Sequence, residues 1–429
     1  MTDGAGAPAV AVGAPVRLRV RAMAHGGEGI ADAPDGRVVF VRGAIPGDTV
    51  EATLTKVKKR WARAETTAVV DPSPHRVDPT CPAVAAGAGC CDFSHIAADA
   101  QLGFKREVLL GQLGALSSRS GVLDSFDLDS VETVQLAPVT GWRTRVRLGV
   151  DSQGNAGMRR ARSTEVVAGV PCTQPVPGLL DDIVGDGAGK FTPGAELVVA
   201  VDTEGSRHVV ETQAAQRGRR VERVERVLEG PGELVEQVRG FDFVFPPTAF
   251  WQAHQKAPEA YSDVIAQWGA GEYTNLVGWD LYGGVGAFVP AMNEALGGGR
   301  VESVDYSSAA TSRRQQVADA CDVRVHHGDA AAVVGELERP GLVVLDPPRA
   351  GAGADVVRAI AQAAPERIIH VGCDPATFAR DLAGFGEHGY AVKQMKLIDA
   401  FPNTHHFEVI AVLEPVKRDE SSSQSQRVN

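Results

Sequence analysis

Residues 246–416 alternate between short apolar runs and amphipathic runs, and this alternation constrains the fold more than any other feature. Strand-like runs cover residues 274–281, 300–305, 323–326, 342–345 and 367–371, and helical patterns cover residues 285–296, 309–320 and 354–362. Strands that alternate with helices form a parallel sheet with helices on its faces. We therefore predict a C-terminal α/β, Rossmann-like domain with a mostly parallel, doubly wound sheet that binds ligands at the carboxyl ends of its strands.

Three motifs follow predicted strands of this domain directly. Residues 280–288 read Asp-Leu-Tyr-Gly-Gly-Val-Gly-Ala-Phe, residues 346–349 read Asp-Pro-Pro-Arg, and residues 373–377 read Cys-Asp-Pro-Ala-Thr. The carboxyl ends of parallel strands share one edge of the sheet, so a glycine loop, an acid and a cysteine should meet there. A glycine loop lets the backbone approach a ligand, and a cysteine supplies a thiolate. The pattern predicts an enzyme with a bound cofactor.

The chain before this domain is predicted to be mainly β structure. Residues 16–71 contain short strands at close spacing, which is typical of a small OB-like barrel. Residues 72–245 are predicted to form a central, mainly β domain with a cysteine loop and one helix over residues 101–116. Within it, residues 213–235 are highly charged and fit a long hairpin and a helix equally well. Residues 1–15 and 417–429 are predicted to be disordered tails.

Composition narrows the class of protein further. The 429 residues carry a net charge of -11, with 44% hydrophobic residues, which is ordinary for a globular protein. The sequence contains no apolar run of bilayer length and no signal peptide, so we expect a cytoplasmic protein without membrane contact, and a monomer. In a reducing compartment the six cysteines are not a disulfide framework.

The glycine loop favours one cofactor class. It lacks the G-x-G-x-x-G spacing of dinucleotide sites, and Asp280 precedes it, which favours S-adenosylmethionine over NAD. Asp305 ends the next predicted strand, where an acid can accept hydrogen bonds from ribose hydroxyls. Asp329 follows the third strand and either contacts an adenine edge or caps the next helix.

With two further segments, these motifs resemble those of the bacterial RNA (uracil-5-)-methyltransferases, which make 5-methyluridine. The further segments are residues 250–254, Phe-Trp-Gln-Ala-His, and residues 401–408, Phe-Pro-Asn-Thr-His-His-Phe-Glu. The resemblance covers nearly the whole chain, because residues 16–71 resemble the family's RNA-binding TRAM barrel. The chain departs from the family pattern at Gly283, where a cysteine is usual, and at Asp374, where asparagine is more frequent.

The resemblance implies a role for individual residues. It implies that Cys373 is the nucleophile and Glu408 the base. The implied contacts of S-adenosylmethionine are Gln252, Tyr282, Asp305, Asp329 and Asp346. The chemistry agrees, because uracil C5 is a poor nucleophile until a thiolate adds at C6, and the C5 proton must then leave to a base. For the thiolate to reach C6, the target uracil must also be flipped out of its stack in the RNA.

The same resemblance raises the question of a metal cluster. The family often carries a 4Fe–4S cluster on four cysteines, and the corresponding residues here are Cys81, Cys90, Cys91 and Cys172. The spacing departs from the family pattern, because Cys90 falls where a glycine is usual and Ala88 where a cysteine is usual. Two interpretations stay open: a retained cluster, or structural thiols and a lost cluster.

RNA is the expected partner. A basic run at residues 56–63 and the arginines at positions 143, 145 and 147 are expected to contact phosphates, with Trp61 either stacking on a base or packing in the barrel. The TRAM-like barrel favours 23S ribosomal RNA over transfer RNA as the substrate. The alternatives are a transfer RNA uridine-5 methyltransferase, a small-molecule methyltransferase, and an RNA-binding protein whose methyltransferase fold is inactive.

Overall fold

The structure is a computed structural model that describes residues 11–217, 220–307 and 315–416. The predicted tails lie outside these ranges apart from residues 11–15, and so does the first half of the helix predicted over residues 309–320. Among the described helices, none is long and apolar enough to cross a membrane.

The N-terminal residues form the predicted barrel. Its strands are β1 (Pro15–Met23), β2 (Gly29–Asp32), β3 (Val38–Arg42), β4 (Thr49–Val57) and β5 (Trp61–Asp71). They close in the order β1-β2-β3-β5-β4, and alternate residues such as Leu18, Val20 and Val39 point into a small apolar core. The sequence predicts strands over residues 16–23, 37–41, 48–58 and 61–70, and each of these is present. The short β2 is not predicted, because it begins at the end of the glycine-rich turn of residues 26–29.

The central region contains an antiparallel sheet. Its strands are β7 (Arg145–Val150), β8 (Ala156–Arg159), β9 (Val166–Ala168), β10 (Glu196–Val201), β11 (Arg207–Arg217) and β12 (Arg220–Glu229). The order is β12-β11-β10-β7-β8-β9. The charged segment that fitted a hairpin and a helix equally well forms the β11–β12 hairpin and the start of a second hairpin, β13 (Leu234–Val238) with β14 (Phe241–Phe245).

An eight-stranded sheet forms the C-terminal domain. Its strands are β15 (Val277–Leu281), β16 (Arg300–Asp305), β17 (Val323–His327), β18 (Leu342–Leu345), β19 (Arg367–Gly372), β20 (Tyr390–Asp399), β21 (Glu408–Pro415) and, from the central region, β6 (Glu132–Gln135). The order is β17-β16-β15-β18-β19-β21-β20-β6. The Rossmann-like, mostly parallel sheet is therefore confirmed, with β21 reversed between β19 and β20.

Helices cover both faces of this sheet. The helices of the described residues are α1 (Pro82–Ala85), α2 (Ala98–Ser120), α3 (Ala257–Gly269), α4 (Val289–Ala295), α5 (Val317–Ala320), α6 (Ala330–Val333), α7 (Gly353–Ala363) and α8 (Pro375–Glu387). Short 3-10 turns cover Leu128–Ser130 and Val334–Glu336. One apolar core lies beneath α2, α7 and α8, and a second lies beneath α3, α4 and the β13–β14 hairpin. Thus α2 and β6, from residues assigned to the central domain, pack with the C-terminal sheet.

The barrel also packs on this domain. Met23 and Ile45 of the barrel belong to the same apolar core as Phe93, Ile96 and Phe407. The barrel is thus held by buried apolar contacts and is not a module on a free linker. Deleting the barrel would expose part of this core, so smaller substitutions are better tests of its role.

A buried ion pair fixes the segment that leads to β21. Lys105 Nζ of α2 donates to Asp399 Oδ1 at 2.6 Å and to the Phe401 carbonyl oxygen at 3.1 Å, and both charged side chains are fully buried. Asp399 Oδ1 also accepts from the Phe401 backbone N–H. The long helix α2 therefore determines where residues 399–407 turn towards β21.

We expect Lys105→Met to lower the free energy of unfolding by about 3–5 kcal/mol, because it leaves a buried carboxylate without its cation. Denaturant unfolding followed by circular dichroism measures this change. Lys396→Met is the matched control, since Lys396 pairs with the largely exposed Glu132 and should cost about 1 kcal/mol or less. Equal stabilities of the two variants would contradict the prediction.

Candidate active site

The proposed nucleophile and base lie at the ends of neighbouring strands. Cys373 follows the last residue of β19, and Glu408 is the first residue of β21. The antiparallel register ends with the pair of Gly372 and Val409, so Cys373 and Glu408 each lie one residue beyond it at the same edge of the sheet. The two side chains are close enough for the charge of Glu408 to act on the Cys373 thiol. The strand reversal therefore brings a thiol and a carboxyl together at the edge of the sheet.

The environment of Cys373 holds the resting thiol in its protonated form. Burial, and then the negative charges of Glu408 and Asp346, raise the pKa of Cys373 to about 12. The Arg349 guanidinium acts in the opposite direction. The thiol is only half-buried, so a substrate can reach it. A nucleophile in this position depends on a change in its charge environment when substrate binds.

Glu408 has the properties of a buried proton acceptor. Its side chain is buried, and its Oε2 atom has no hydrogen-bond partner among the described residues. Burial, and then the nearby Asp346 carboxylate, raise the pKa of Glu408 well above its ordinary value. A carboxyl group with a raised pKa holds an abstracted proton better than a solvated one does.

Two further acids lie at the neighbouring strand ends. Burial raises the pKa values of Asp280 and Asp346 to about 7, and the charge of Asp280 adds to the effect on Asp346. Ser303 Oγ donates to Asp280 Oδ2 at 2.8 Å. A Cβ atom at Gly283 would lie 2.1 Å from the same Asp280 oxygen, so this hydrogen-bonded pair occupies the space that a side chain at position 283 needs.

The glycine loop has a left-handed residue, Tyr282, and is held by hydrogen bonds to the Asp305 carboxylate. Tyr282 has φ = 62°, a left-handed conformation that costs a residue other than glycine about 1 kcal/mol or more and is concentrated at functional sites. Asp305 Oδ2 accepts from the Gly284 backbone N–H at 2.9 Å, and Oδ1 accepts from that of Ser307. Asp305 thus ties the end of β16 to the loop, and a carboxylate with two such bonds can still accept from a ribose hydroxyl.

The third strand end carries an aromatic platform as well as the predicted acid. Asp329 Oδ1 accepts from the Ala331 backbone N–H at 2.9 Å and caps α6, which is the helix-cap alternative of the sequence analysis. Beside it, Tyr306 is 78% exposed and stacks on His327, with ring centroids 6.1 Å apart. An exposed stacked pair offers a flat apolar face to an aromatic ligand group.

Gln252 lies on a loop supported by two of the predicted RNA-contacting arginines. Arg145 Nη2 donates to the carbonyl oxygens of Pro247 and Ala249, each at 2.7 Å, and Arg147 Nη2 donates to that of Thr248 at 3.3 Å. Arg145, which we predicted to contact phosphates, is partly buried and holds the 247–249 backbone, and its contact with phosphates stays a prediction. Arg147 remains exposed.

The four predicted metal-binding cysteines converge. The Cys81 and Cys172 sulfur atoms are 4.0 Å apart, and those of Cys90, Cys91 and Cys172 lie within 4.8 Å of one another. Hydrogen bonds with Cys172 and Cys91 lower the pKa of the Cys90 thiol, whereas a hydrogen bond with Cys172 raises the pKa of Cys91. Arg143 stacks on Trp142 at 4.7 Å, and burial lowers the pKa of Arg143 although the charges of the neighbouring thiols act in the opposite direction. Four clustered sulfurs beside a cation suit a negatively charged metal–thiolate centre.

A cavity of about 480 Å³ links this cluster to the C-terminal domain. Its lining includes Cys91, Cys172, Arg147, Phe250 and Trp251. Phe250 is 77% exposed and precedes the Gln252 loop position by two residues. The cavity therefore lies between the thiol cluster and the loop of the predicted cofactor contact.

On the barrel, the basic run forms an exposed surface. Lys56, Lys58, Lys59 and Arg60 are exposed at the tip of β4 and β5. Trp61 is half-buried, contacts Phe40 edge-on, and lies 5.5 Å from the Lys56 ammonium group. Trp61 thus packs partly on the barrel and partly within the basic surface.

Comparisons with known proteins agree with this arrangement. The TRAM domain model matches residues 9–67, and the tRNA (Uracil-5-)-methyltransferase model matches residues 338–416. An RNA methyltransferase of Corynebacterium glutamicum is 47% identical over 409 residues, which cover 94% of this chain and 97% of that relative. The chain belongs to the TRAM-containing RNA (uracil-5-)-methyltransferase family.

More distant members of the RNA methyltransferases are also similar. The 23S rRNA (uracil(1939)-C(5))-methyltransferase RlmD of Halomonas elongata is 29% identical, covering 92% of this chain and 89% of that protein. The crystal structure of Pyrococcus abyssi tRNA (uracil-54, C5)-methyltransferase in complex with S-adenosyl-L-homocysteine has a TM-score of 0.69 at 21% identity, over 93% of this chain and 99% of that one. The latter similarity confirms the fold of this methyltransferase.

The methyltransferase site contains residues that the sequence analysis did not assign to it. Asp280 belongs to the glycine motif but was not given a site role, and only the structure shows that it is buried and that its charge acts on Asp346. Tyr306 and His327 pair at the ends of β16 and β17. Their spacing along the chain carries no signal, because two neighbouring parallel strands bring them together.

Proposed function

We propose that this methyltransferase transfers a methyl group from S-adenosylmethionine to C5 of a uridine in RNA, with Cys373 as nucleophile and Glu408 as base. The observation that carries the proposal is the position of these two residues at the end of β19 and the start of β21, where the charge of Glu408 acts on the Cys373 thiol. The reaction needs one thiolate and one carboxylate beside the same uracil ring, and Cys373 and Glu408 supply them.

The residues act on the uracil in three steps. The half-buried Cys373 thiol gives its proton to solvent, and the sulfur bonds to C6 while the C5–C6 π electrons move towards C5 and the O4 carbonyl. C5 then takes the methyl group, and the bond between the methyl carbon and the sulfonium sulfur would break to leave S-adenosylhomocysteine. Glu408 takes the C5 proton, the C5–C6 double bond forms again, and the Cys373–C6 bond breaks to release thiolate and product. S-adenosylmethionine, when bound, supplies the electrophilic methyl group at this edge of the sheet.

The cofactor is proposed to lie along the strand ends from β17 to β18. Tyr282 and the glycine loop approach it through the left-handed backbone, Asp305 accepts from its ribose, and Asp346 and Gln252 face its methionine part. Asp329 and the Tyr306–His327 pair border the adenine. Asp329 caps α6 at the same time, because a carboxylate can accept more than one hydrogen bond.

Ribosomal RNA is the proposed substrate. The supporting observations are the barrel and the overall similarity to a 23S rRNA methyltransferase over most of both chains. Transfer RNA is the second candidate, because the tRNA (Uracil-5-)-methyltransferase family model matches residues 338–416. Mass-spectrometric mapping of 5-methyluridine in both RNAs, with and without the gene, tests the choice. Loss of the modification from 23S RNA supports the proposal, and loss from transfer RNA alone contradicts it.

The exposed basic run is proposed to bind RNA phosphates. We expect the triple substitution Lys58→Gln, Lys59→Gln and Arg60→Gln to raise KM for RNA and to lower the salt dependence of RNA affinity by about one unit of slope for each lost contact, with kcat little changed. Filter binding across a salt series measures the slope. Arg21→Gln is the matched control, since Arg21 already pairs with Asp32 at 2.9 Å. An unchanged slope would exclude the run from the RNA interface.

We propose that Cys81, Cys90, Cys91 and Cys172 hold the 4Fe–4S cluster that the family resemblance implies. Convergence of the four sulfurs and the adjacent Arg143 support a thiolate centre of negative charge. Bound there, the cluster would brace the cysteine loop against residue 172, and the proposed reaction uses no step at it.

Anaerobically purified protein is expected to contain iron and acid-labile sulfide in equal amounts, with broad visible absorption. Cys91→Ala should lose both and lower Tm, because cluster binding contributes to folding. Cys321→Ala, a thiol remote from the cluster, is the control. Zinc without sulfide, or no metal at all, would contradict the cluster.

A further inference from the structure

One turn of the barrel touches both loops that carry the proposed catalytic residues. The turn lies between β1 and β2 and contains His25 and Gly27. His25 Nε2 lies 2.9 Å from Asp374 Oδ2, and Asp374 immediately follows Cys373. The His25 ring also packs edge-on against His405, three residues before Glu408, with ring centroids 6.2 Å apart.

Asp374 connects this turn to the helix behind the nucleophile. Its Oδ1 atom accepts from the backbone N–H groups of Ala376 and Thr377, both at 3.0 Å, and so caps α8. Its Oδ2 atom is hydrogen-bonded to His25 Nε2. The pKa of Asp374 is lowered, because these bonds and the nearby His25 outweigh the opposing effect of burial. One carboxylate thus holds the barrel, the first turn of α8 and the residue after Cys373 in a single arrangement.

The turn also leaves almost no space at the loop before Glu408. Gly27 has φ = 77°, and a Cβ atom there would lie 3.1 Å from the Phe93 ring and 3.3 Å from His405 Cβ. The His405 backbone N–H donates to Asp92 Oδ1 at 2.9 Å, and the two side chains are also hydrogen-bonded. The barrel therefore approaches the wall of the active site closely at two separate points.

We propose that His25 is a positioning residue for the methyl-transfer reaction, which fixes the Cys373 loop by holding Asp374. The proposal rests on the proposed function of Cys373. A displaced reacting atom costs rate even when binding is intact, so the loss should fall on kcat. The barrel then has two separable roles, since its basic run binds RNA and its β1–β2 turn completes the catalytic site.

His25→Ala is expected to lower kcat by about tenfold while KM for RNA changes less than about threefold. His25→Gln should restore most of the activity, because the glutamine amide can donate to Asp374 from nearly the same place. His388→Ala, an exposed histidine at the other end of α8, is the control and should behave as the unaltered protein. Tm is measured for each variant to separate positioning from loss of folding.

The second measurement is the rate of covalent adduct formation in the Glu408→Gln background, followed on denaturing gels. His25→Ala should slow this rate by about the same tenfold as kcat. The proposal would be overturned if the rate of adduct formation and kcat were unchanged, or if only KM changed. The role of the barrel would then be RNA binding alone. Complete absence of an adduct with native His25 would instead contradict the proposed function, and the effect on kcat would still decide the role of His25.

Discussion

Replacing Cys373 with alanine should lower methyl transfer to RNA by at least about 10⁴-fold, because no other group at the site can make the bond to C6 that activates C5. Binding of S-adenosylmethionine should stay close to that of the unaltered protein, since the glycine loop and Asp305 are held by their own hydrogen bonds. Single-turnover transfer of a labelled methyl group measures the first quantity, and calorimetry measures the second.

Cys321→Ala is the matched control for this variant, because Cys321 is also a partly buried thiol but lies at the end of α5. It should retain full activity. Appreciable methyl transfer by Cys373→Ala would show that the reaction proceeds without covalent addition of this thiol. Loss of cofactor binding in the same variant would show that Cys373 supports the fold of the site instead.

Replacing Glu408 with glutamine should trap a covalent RNA–protein adduct and reduce product release by about 10²–10⁴-fold. Glutamine keeps the size of the buried side chain but cannot accept the C5 proton, so the Cys373–C6 bond cannot break by the forward route. A slowly migrating band on a denaturing gel, lost in the Cys373→Ala, Glu408→Gln double variant, measures the adduct.

Glu414→Gln provides the matched control on the same strand. Glu414 pairs with Arg367 at 2.7 Å near the far end of β21, so its loss leaves the strand-end chemistry unaltered. This variant should turn over normally without accumulating adduct. Normal release of methylated product by Glu408→Gln would exclude Glu408 as the base.

The sequence predicts the parts of the fold that arise from local periodicity. The order of apolar residues predicts the strand of residues 342–345 and the short strands of the N-terminal barrel, and both are present. The charged segment 213–235 is ambiguous in sequence because polar residues occur on both faces, and it forms a hairpin because residues 213–217 continue β11, whose first residues pair with β10. Reversal of β21 has no local signal, since its direction follows from antiparallel pairing with β19 and β20.

The sequence likewise predicts some features of the candidate site, whereas others are visible only in the folded structure. Cys373 and Glu408 are visible as motif residues, but only the antiparallel pairing of β19 with β21 brings them to the same edge of the sheet. The sequence pattern of Arg143, Arg145 and Arg147 predicts one shared face, yet it cannot show that Arg145 faces the carbonyls of the 247–249 backbone. The contact between His25 and Asp374 joins residues 349 positions apart, and only tertiary packing reveals it.

The most direct test of the central claim uses RNA labelled with tritium at uracil C5. If Cys373 and Glu408 catalyse methylation at this carbon, each methyl group transferred must displace one C5 hydrogen, so tritium should enter water in a one-to-one ratio with methyl incorporation. Methyl incorporation without release of tritium would place the modification on another atom and contradict the account.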